Sequence, residues 1–198
     1  MSATSKVIKA YIAELPEGAV ISARELLHLG PRTAIDQALS RAARHGNLIR
    51  IERGRYTVPI VGHFGIRTAP VQTVLSNISA ATGETIVENG ASAANLLGLT
   101  TQNPVRYVFW TSGPSRMLSL GRLRVELKHK PQWMLQLPQS RPGSAMRALV
   151  WLGKAEIKSA MKHVCSTLDA KEMRELFGLR RSAPAWLARE LAALASAR

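Results

Sequence analysis

Pro31-Arg-Thr-Ala-Ile-Asp-Gln-Ala-Leu-Ser-Arg-Ala-Ala-Arg-His45, Gly46-Asn47, Leu48-Ile-Arg-Ile-Glu-Arg-Gly-Arg-Tyr-Thr-Val58 is the stretch whose reading decides the fold. Its first part has a helical period: Ile35, Ala38, Leu39 and Ala42 fall at i, i+3, i+4 and i+7 and make one apolar stripe. Pro31 suits the first helical turn, where a missing N–H costs nothing. Gly46 suits the stop, because the residue after a helix end commonly takes positive φ. A hairpin comes next. Leu48, Ile49 and Ile51 are strand formers, Arg53-Gly54 is a tight turn, and Tyr56, Thr57 and Val58 return. Helix, Gly-Asn and short basic hairpin together read as a winged helix-turn-helix, with Arg53-Gly54-Arg55 as the wing tip.

The residues before it complete that unit. Ser5 to Leu15 reads as a helix, Val20-Ile21 as a short strand, and Ala23 to Leu29 as a second helix. Ser22 would cap the second helix, with Glu25 closing a capping box and Leu26, Leu27 and Leu29 turned inward.

At about 100° per residue, the face of the Pro31–His45 helix opposite the apolar stripe carries Thr33, Gln37, Ser40 and Arg44, flanked by Arg32 and Arg41. Gln can pair bidentately with adenine and Arg with guanine. Thr33 and Gln37 lie nearest the helix N-terminus, the end that meets base edges in helix-turn-helix docking. Arg41, Arg44, Arg53 and Arg55 suit phosphates or the minor groove. Asp36 is unfavourable near phosphate, so it either supports Arg32 or accepts from a cytosine. For each residue singly, a solvated helix face is the competing reading.

Composition agrees with a polyanion partner. Net charge is +14, from 27 Lys and Arg against 13 Asp and Glu. Hydrophobic residues are 46% of the 198, enough for a real core. The single cysteine, Cys165, excludes an internal disulfide and a multi-cysteine zinc site, and its helical context suggests a buried, inert thiol. Met1 to Tyr11 has no apolar signal core, and no apolar run approaches the about 20 residues that span a bilayer. A cytoplasmic location without membrane association is the expectation.

Beyond Val58 the pattern changes. Residues 61–70 hold Gly62, Gly65 and Pro70, show little periodicity and read as a linker, in which His63 and Phe64 are free to dock on either side. Residues 1–60 would then be the DNA-binding domain and 71–198 a mixed α/β domain. In the latter, Val71 to Ala81 is an amphipathic helix, Thr85 to Val87 a strand, and Ala91 to Leu97 a small-residue helix. Strands are expected at Val105–Thr111, Met117–Leu120 and Arg122–His129. In the last of these Leu123, Val125 and Leu127 alternate with Arg122, Arg124, Glu126 and Lys128. Helices over 145–152, 155–168, 170–177 and 183–197 close the chain, the third capped by Asp169. The fold class is therefore α+β: a winged helix, then a small antiparallel sheet and C-terminal helices.

No catalytic constellation emerges. Glu84 and Glu88 could pair as acid and base, but two solvated acids at a strand end is the simpler reading. The five histidines are scattered without ligand spacing. There is no phosphate-binding glycine loop and no nucleophile elbow. Neither an enzyme, a metal nor a cofactor is expected.

The chain resembles the AbiEi-type antitoxins of bacterial toxin–antitoxin and abortive-infection operons. The resemblance lies in Ala38-Leu39-Ser40-Arg41, Gly46 to Arg50 and Arg53 to Tyr56, and more specifically in Gly90-Ala-Ser-Ala-Ala-Asn-Leu-Leu-Gly-Leu-Thr-Thr-Gln102. The Thr111–Met117 turn and the Leu127–Lys130 strand end are similar too. The resemblance implies a bipartite protein. Its winged helix would bind double-stranded DNA, the repeats of its own promoter, through Thr33, Gln37, Arg41, Arg44, Arg53 and Arg55, to which the helical face adds Arg32 and Ser40 as candidates. Its residues from Val71 onward would counteract a nucleotidyltransferase-type toxin. The alternatives are a stand-alone winged-helix regulator whose second domain senses or dimerises, and a winged helix acting on RNA.

Overall fold

A computed structural model describes residues 3–63, 65–102 and 105–196. The protein is mixed α+β, and its residues group into two compact units, 1–84 with 116–126, and 85–115 with 127–198.

The first unit opens with α1 (Ala3–Glu14), β1 (Val20–Ser22) and a 3-10 turn (Leu27–Leu29). Next come α2 (Arg32–Arg44), β2 (Ile49–Glu52) and β3 (Arg55–Thr57). The strands form an antiparallel sheet in the order β1-β3-β2. Ile21 lies opposite Tyr56 on one side of β3, and Arg50 opposite Tyr56 on the other. A bulge between Arg50 and Glu52 shifts the register just before the Arg53-Gly54 turn. Ile8 and Ile12 of α1, Ile21, Leu26, Ile35, Leu39, Leu48 and Tyr56 make the core of this arrangement. Each such side chain contributes about 1.5–3 kcal/mol on burial.

The second expected helix does not form. Residues 23–26 are turns, with the 3-10 turn directly after them. The capping-box contacts exist: Glu25 N donates to Ser22 Oγ and Ser22 N to Glu25 Oε2, each at 3.4 Å. The capping contacts here close a turn and do not start an α-helix. The segment's hydrogen bonds run i to i+3, as from Leu29 N to Leu26 O at 2.9 Å. That tighter winding buries Ala23 and Leu26 and leaves Leu27 exposed, not inward.

The 61–70 stretch is also ordered differently from a linker. β4 (Ile60–Gly62) and β5 (Gly65–Arg67) pair as an antiparallel hairpin, with Val61 opposite Ile66. Glycines that look like a linker here flank a turn, and two β-branched residues meet across it. His63 is exposed, and the expected docking of Phe64 lies outside the described residues. α3 (Val71–Thr82) buries Val71, Val74, Leu75 and Ile78. Its Asn77 side chain donates to Gly18 O at 2.6 Å, which ties α3 to the first unit rather than to the C-terminal part of the chain. β8 (Arg116–Leu120) and the start of β9 (Leu123–His129) complete the unit.

The second unit contains β6 (Ile86–Glu88), α4 (Gly90–Leu96), β7 (Tyr107–Thr111) and the end of β9. β6 and β7 are antiparallel, with Val87 opposite Trp110. α5 (Arg141–Thr167), α6 (Ala170–Gly178) and α7 (Ala185–Ser196) close the unit, Ala197 lying outside the described residues. Gly153, at φ 74°, divides α5 into the two helical segments that the sequence suggests. α6 has the expected cap: Asp169 and Glu172 form a complete capping box.

The small residues of α4 have a packing reason. A Cβ on Gly90 would lie 2.4 Å from Trp151 Cβ and 2.8 Å from Arg147 O, so only glycine admits α5 at that distance. Ala93, Ala94, Met146, Leu149, Ile157, Met161, Val164 and Leu176 form the core around that contact. Cys165 is half-buried against it.

Candidate nucleic-acid interface

α2 is set by its two ends and its stripe. Pro31 sits one position before the helix rather than within it, extended at φ −60° and ψ 141°, and its carbonyl accepts from Ile35 N at 3.1 Å. At the other end Gly46, at φ +78°, comes directly after the C-cap His45. Gly46 N donates to Ala43 O at 3.2 Å and Asn47 N to Ala42 O at 3.0 Å, a complete Schellman motif. The stop is thus sharp, and the chain turns directly into β2. Ile35, Ala38 and Leu39 are buried, and Ala42 packs on the same core.

That packing leaves Thr33, Gln37, Ser40, Arg41 and Arg44 exposed, as the helical period requires. Arg32 is exposed as well, but its Nε donates to Asp36 Oδ2 at 2.9 Å. Of the two expectations for Asp36, the one realised is support of Arg32. An open groove between the end of α2 and β2 is lined by Ser40, Ala43, Arg44, Gly46, Leu48, Ile49, Arg50 and Tyr56. Two guanidinium-bearing residues, Arg44 and Arg50, therefore border one concavity with an apolar floor.

The wing separates two arginines that the sequence treats alike. Arg53 is exposed at the tip. Arg55 is not free: it pairs with Glu52, and the two side chains are only 20% and 17% exposed. Glu52 is shared, because its Oε2 lies 3.2 Å from Arg116 Nε. Arg116 Nη1 in turn reaches Glu84 Oε2 at 2.9 Å. The chain Arg55–Glu52–Arg116–Glu84 fixes the wing's base to β8 within the first unit. Arg55 serves this lattice rather than presenting a free cation.

Arg50, Glu52 and Arg116 are the residues the sequence reading passes over. Arg50 is exposed although it lies opposite the buried Tyr56, so strand alternation did not mark it. Arg116 carried no signal either: its acids lie far away in the chain.

Glu84 and Glu88 are not two solvated acids. Glu84 is held by Arg116. Glu88 accepts from Ser144 Oγ at 2.6 Å and from Arg147 Nη2 at 2.8 Å, and Arg147 is 1% exposed. Each carboxylate has its own arginine partner. Among the described residues no group of three or more His, Cys, Asp or Glu could hold a metal ion. Among them, too, no helix is long and apolar enough to cross a membrane.

Residues 7–176 match the model of a family of unknown function, DUF6088. No curated protein matches the chain. Among solved structures, the chain is similar to the RV2827C protein from Mycobacterium tuberculosis, at 16% identity and a TM-score of 0.49. That similarity covers 91% of this chain and 72% of that one.

Proposed function

The chain belongs to the DUF6088 family, whose function is unknown, and from that premise we propose that it is a DNA-binding autorepressor and antitoxin. It would bind repeats in its own promoter through the first unit and oppose a nucleotidyltransferase-type toxin through residues beyond the winged helix. The observation that carries the DNA-binding half is the division of α2. One side is buried by Ile35, Ala38 and Leu39, and the other presents Thr33, Gln37, Ser40, Arg41 and Arg44, with the helix's acid, Asp36, paired to Arg32. Arg50 and Arg53 continue that basic surface onto the hairpin.

In this reading Thr33 and Gln37 meet base edges, with Gln37 suited to adenine. Arg41, Arg44, Arg50 and Arg53 hold phosphates, which positions the helix without specifying sequence. Arg32 stays with Asp36, and Arg55 stiffens the wing. The role is binding, not catalysis.

The antitoxin half rests on the AbiEi-type resemblance, chiefly the Gly90–Gln102 block. Within that block Gly90 is where α4 meets α5 with no room for a Cβ, so the block also has a packing role.

Two measurements test the two halves separately. The full chain should bind a duplex from its own upstream region far more tightly than an unrelated duplex, with a steep loss on adding salt. Equal affinity for both duplexes and for structured RNA would overturn the DNA half. Co-expression should rescue growth from the adjacent toxin gene. Repression without rescue would leave a stand-alone regulator.

A further inference from the structure

We propose that the β8–β9 hairpin is a second contact to the DNA backbone, with Arg122 and Arg124 on duplex phosphates outside the winged helix. This rests on the DNA-binding reading above and extends its footprint.

Four observations carry it. First, residues 116–126 group with the winged helix and not with the chain on either side of them. Second, the hairpin is fastened to the wing by charge: Arg116 at its start contacts Glu52 at 3.2 Å and Glu84 at 2.9 Å. Third, the hairpin's inner side is occupied. Leu118, Leu120 and Val125 are buried, so the opposite side is the one presented outward. Fourth, that outward side is basic. Arg122 and Arg124 are exposed, and Glu126, the acid on it, is half-buried.

Arg124 donates to Ser119 Oγ across the two strands. One bond of this kind orients a guanidinium and leaves its other donors available. At the turn, a Cβ on Gly121 would lie 3.2 Å from Thr68 Oγ1. The neighbours of these two residues, Arg122 and Arg67, are both exposed, so a third cation stands beside the pair.

The inward acids Glu52 and Glu84 are already held by Arg55 and Arg116, so neither is drawn to the hairpin's outer cations. β8 runs about 13 Å from Arg116 to Leu120 at 3.3 Å per residue. A wing fastened at one end of such a strand and arginines at the other can track the same backbone.

The test uses the full chain, a duplex from its own upstream region and an unrelated duplex of equal length, across a salt series. R122A/R124A should make the salt slope shallower by about 1.8, since each lost phosphate contact removes about 0.9. The loss should be equal on both duplexes, with the preference between them and the melting temperature unchanged. R122K/R124K should keep the wild-type slope. K158A/K162A removes the same charge from exposed positions in the second unit and should leave the slope alone.

An unchanged slope in R122A/R124A would overturn the proposal and point the hairpin at an acidic protein instead. An equal loss in K158A/K162A would overturn it too, as a bulk-charge effect. Those failures differ from failure of the DNA-binding reading, in which the wild-type chain itself shows no preference and no salt slope; that result sinks both.

Discussion

α2 and the first segment of α5 are both arginine-bearing helices, and they use arginine in opposite ways. α2 buries a narrow stripe and leaves Arg32, Arg41 and Arg44 outside. α5 is buried all round from Pro142 to Leu149, with Arg147 inside. Arg147 has the partners that an interior demands. Its Nε and Nη2 reach Glu88 Oε1 at 3.2 and 2.8 Å, and its Nη1 reaches Gln136 O at 3.3 Å. A charged group in the interior holds only when paired and hydrogen-bonded. An exposed arginine on a helix without nearby acids has no such obligation and is available to an anion. The difference teaches that partner acids, not residue type, separate structural arginines from solvent-facing ones here.

The largest effect should come from breaking the interior pair. Arg147→Met strands the Glu88 carboxylate without its cation, and such breaks cost about 3–5 kcal/mol. Glu88 retains some exposure, so the lower part of that range is expected. Urea unfolding measures it. Replacing both partners, Arg147→Met with Glu88→Leu, should recover most of the loss. If the single variant lost under about 1 kcal/mol, the interior pair would be no more structural than a surface pair, and the contrast would collapse.

Next comes the outer face of α2. Gln37→Ala should cost about 1–3 kcal/mol in binding the promoter duplex and relax preference at one base pair. Arg44→Ala should weaken promoter and unrelated duplexes together and reduce the salt slope by about 0.9. Neither should move the urea midpoint, because both side chains are exposed. A stability loss without a binding loss would place these residues with Arg147.

These two helices also show what the sequence could tell and what it could not. α2 was legible because three independent local signals coincide: a 3.6-residue stripe, Pro31 before it and Gly46 after it. The β2–β3 hairpin was legible for the same reason. The 23–29 segment misled because a capping box marks where a helix can start and not which winding follows it. The β4–β5 hairpin was missed because Gly62 and Gly65 look the same in a turn and in a linker. The interior arginines were not legible at all. Arg147 and Glu88 are 59 residues apart, and Arg116 and Glu84 are 32 apart. No local period marks such a pair, since it exists only once strands and helices from different stretches meet. The pairing of Arg55 was hidden in the same way, because Arg53 and Arg55 look alike until Glu52 is seen to reach one of them.

Gly46→Ala should lie in the middle range. It forces a side chain into positive φ, which costs about 1–2 kcal/mol. The new Cβ would also lie 2.9 Å from Ile66 Cδ1, the movable end of an exposed side chain, so little is added by that contact. The helix stop sets the angle between α2 and the wing, so promoter binding should weaken along with the urea midpoint. A stability loss with intact promoter affinity would mean that the hairpin's angle does not matter to recognition.

The smallest effect makes the finest cut. Arg32 and Asp36 form an i, i+4 pair whose side chains are 54% and 48% exposed. A surface pair of this kind is worth about 0.3–0.5 kcal/mol. Asp36→Asn should therefore barely move the urea midpoint. Its effect on DNA should have the opposite sign, because it removes the negative charge on the presented face and releases the Arg32 guanidinium. Affinity for both promoter and unrelated duplexes should rise, and the salt slope should steepen by about 0.9 as Arg32 gains a phosphate. A drop of several kcal/mol in stability would instead show Arg32 and Asp36 acting as Arg147 and Glu88 do. Weaker promoter binding with unchanged stability would show Asp36 reading a base, the role that a cytosine amino group would give it.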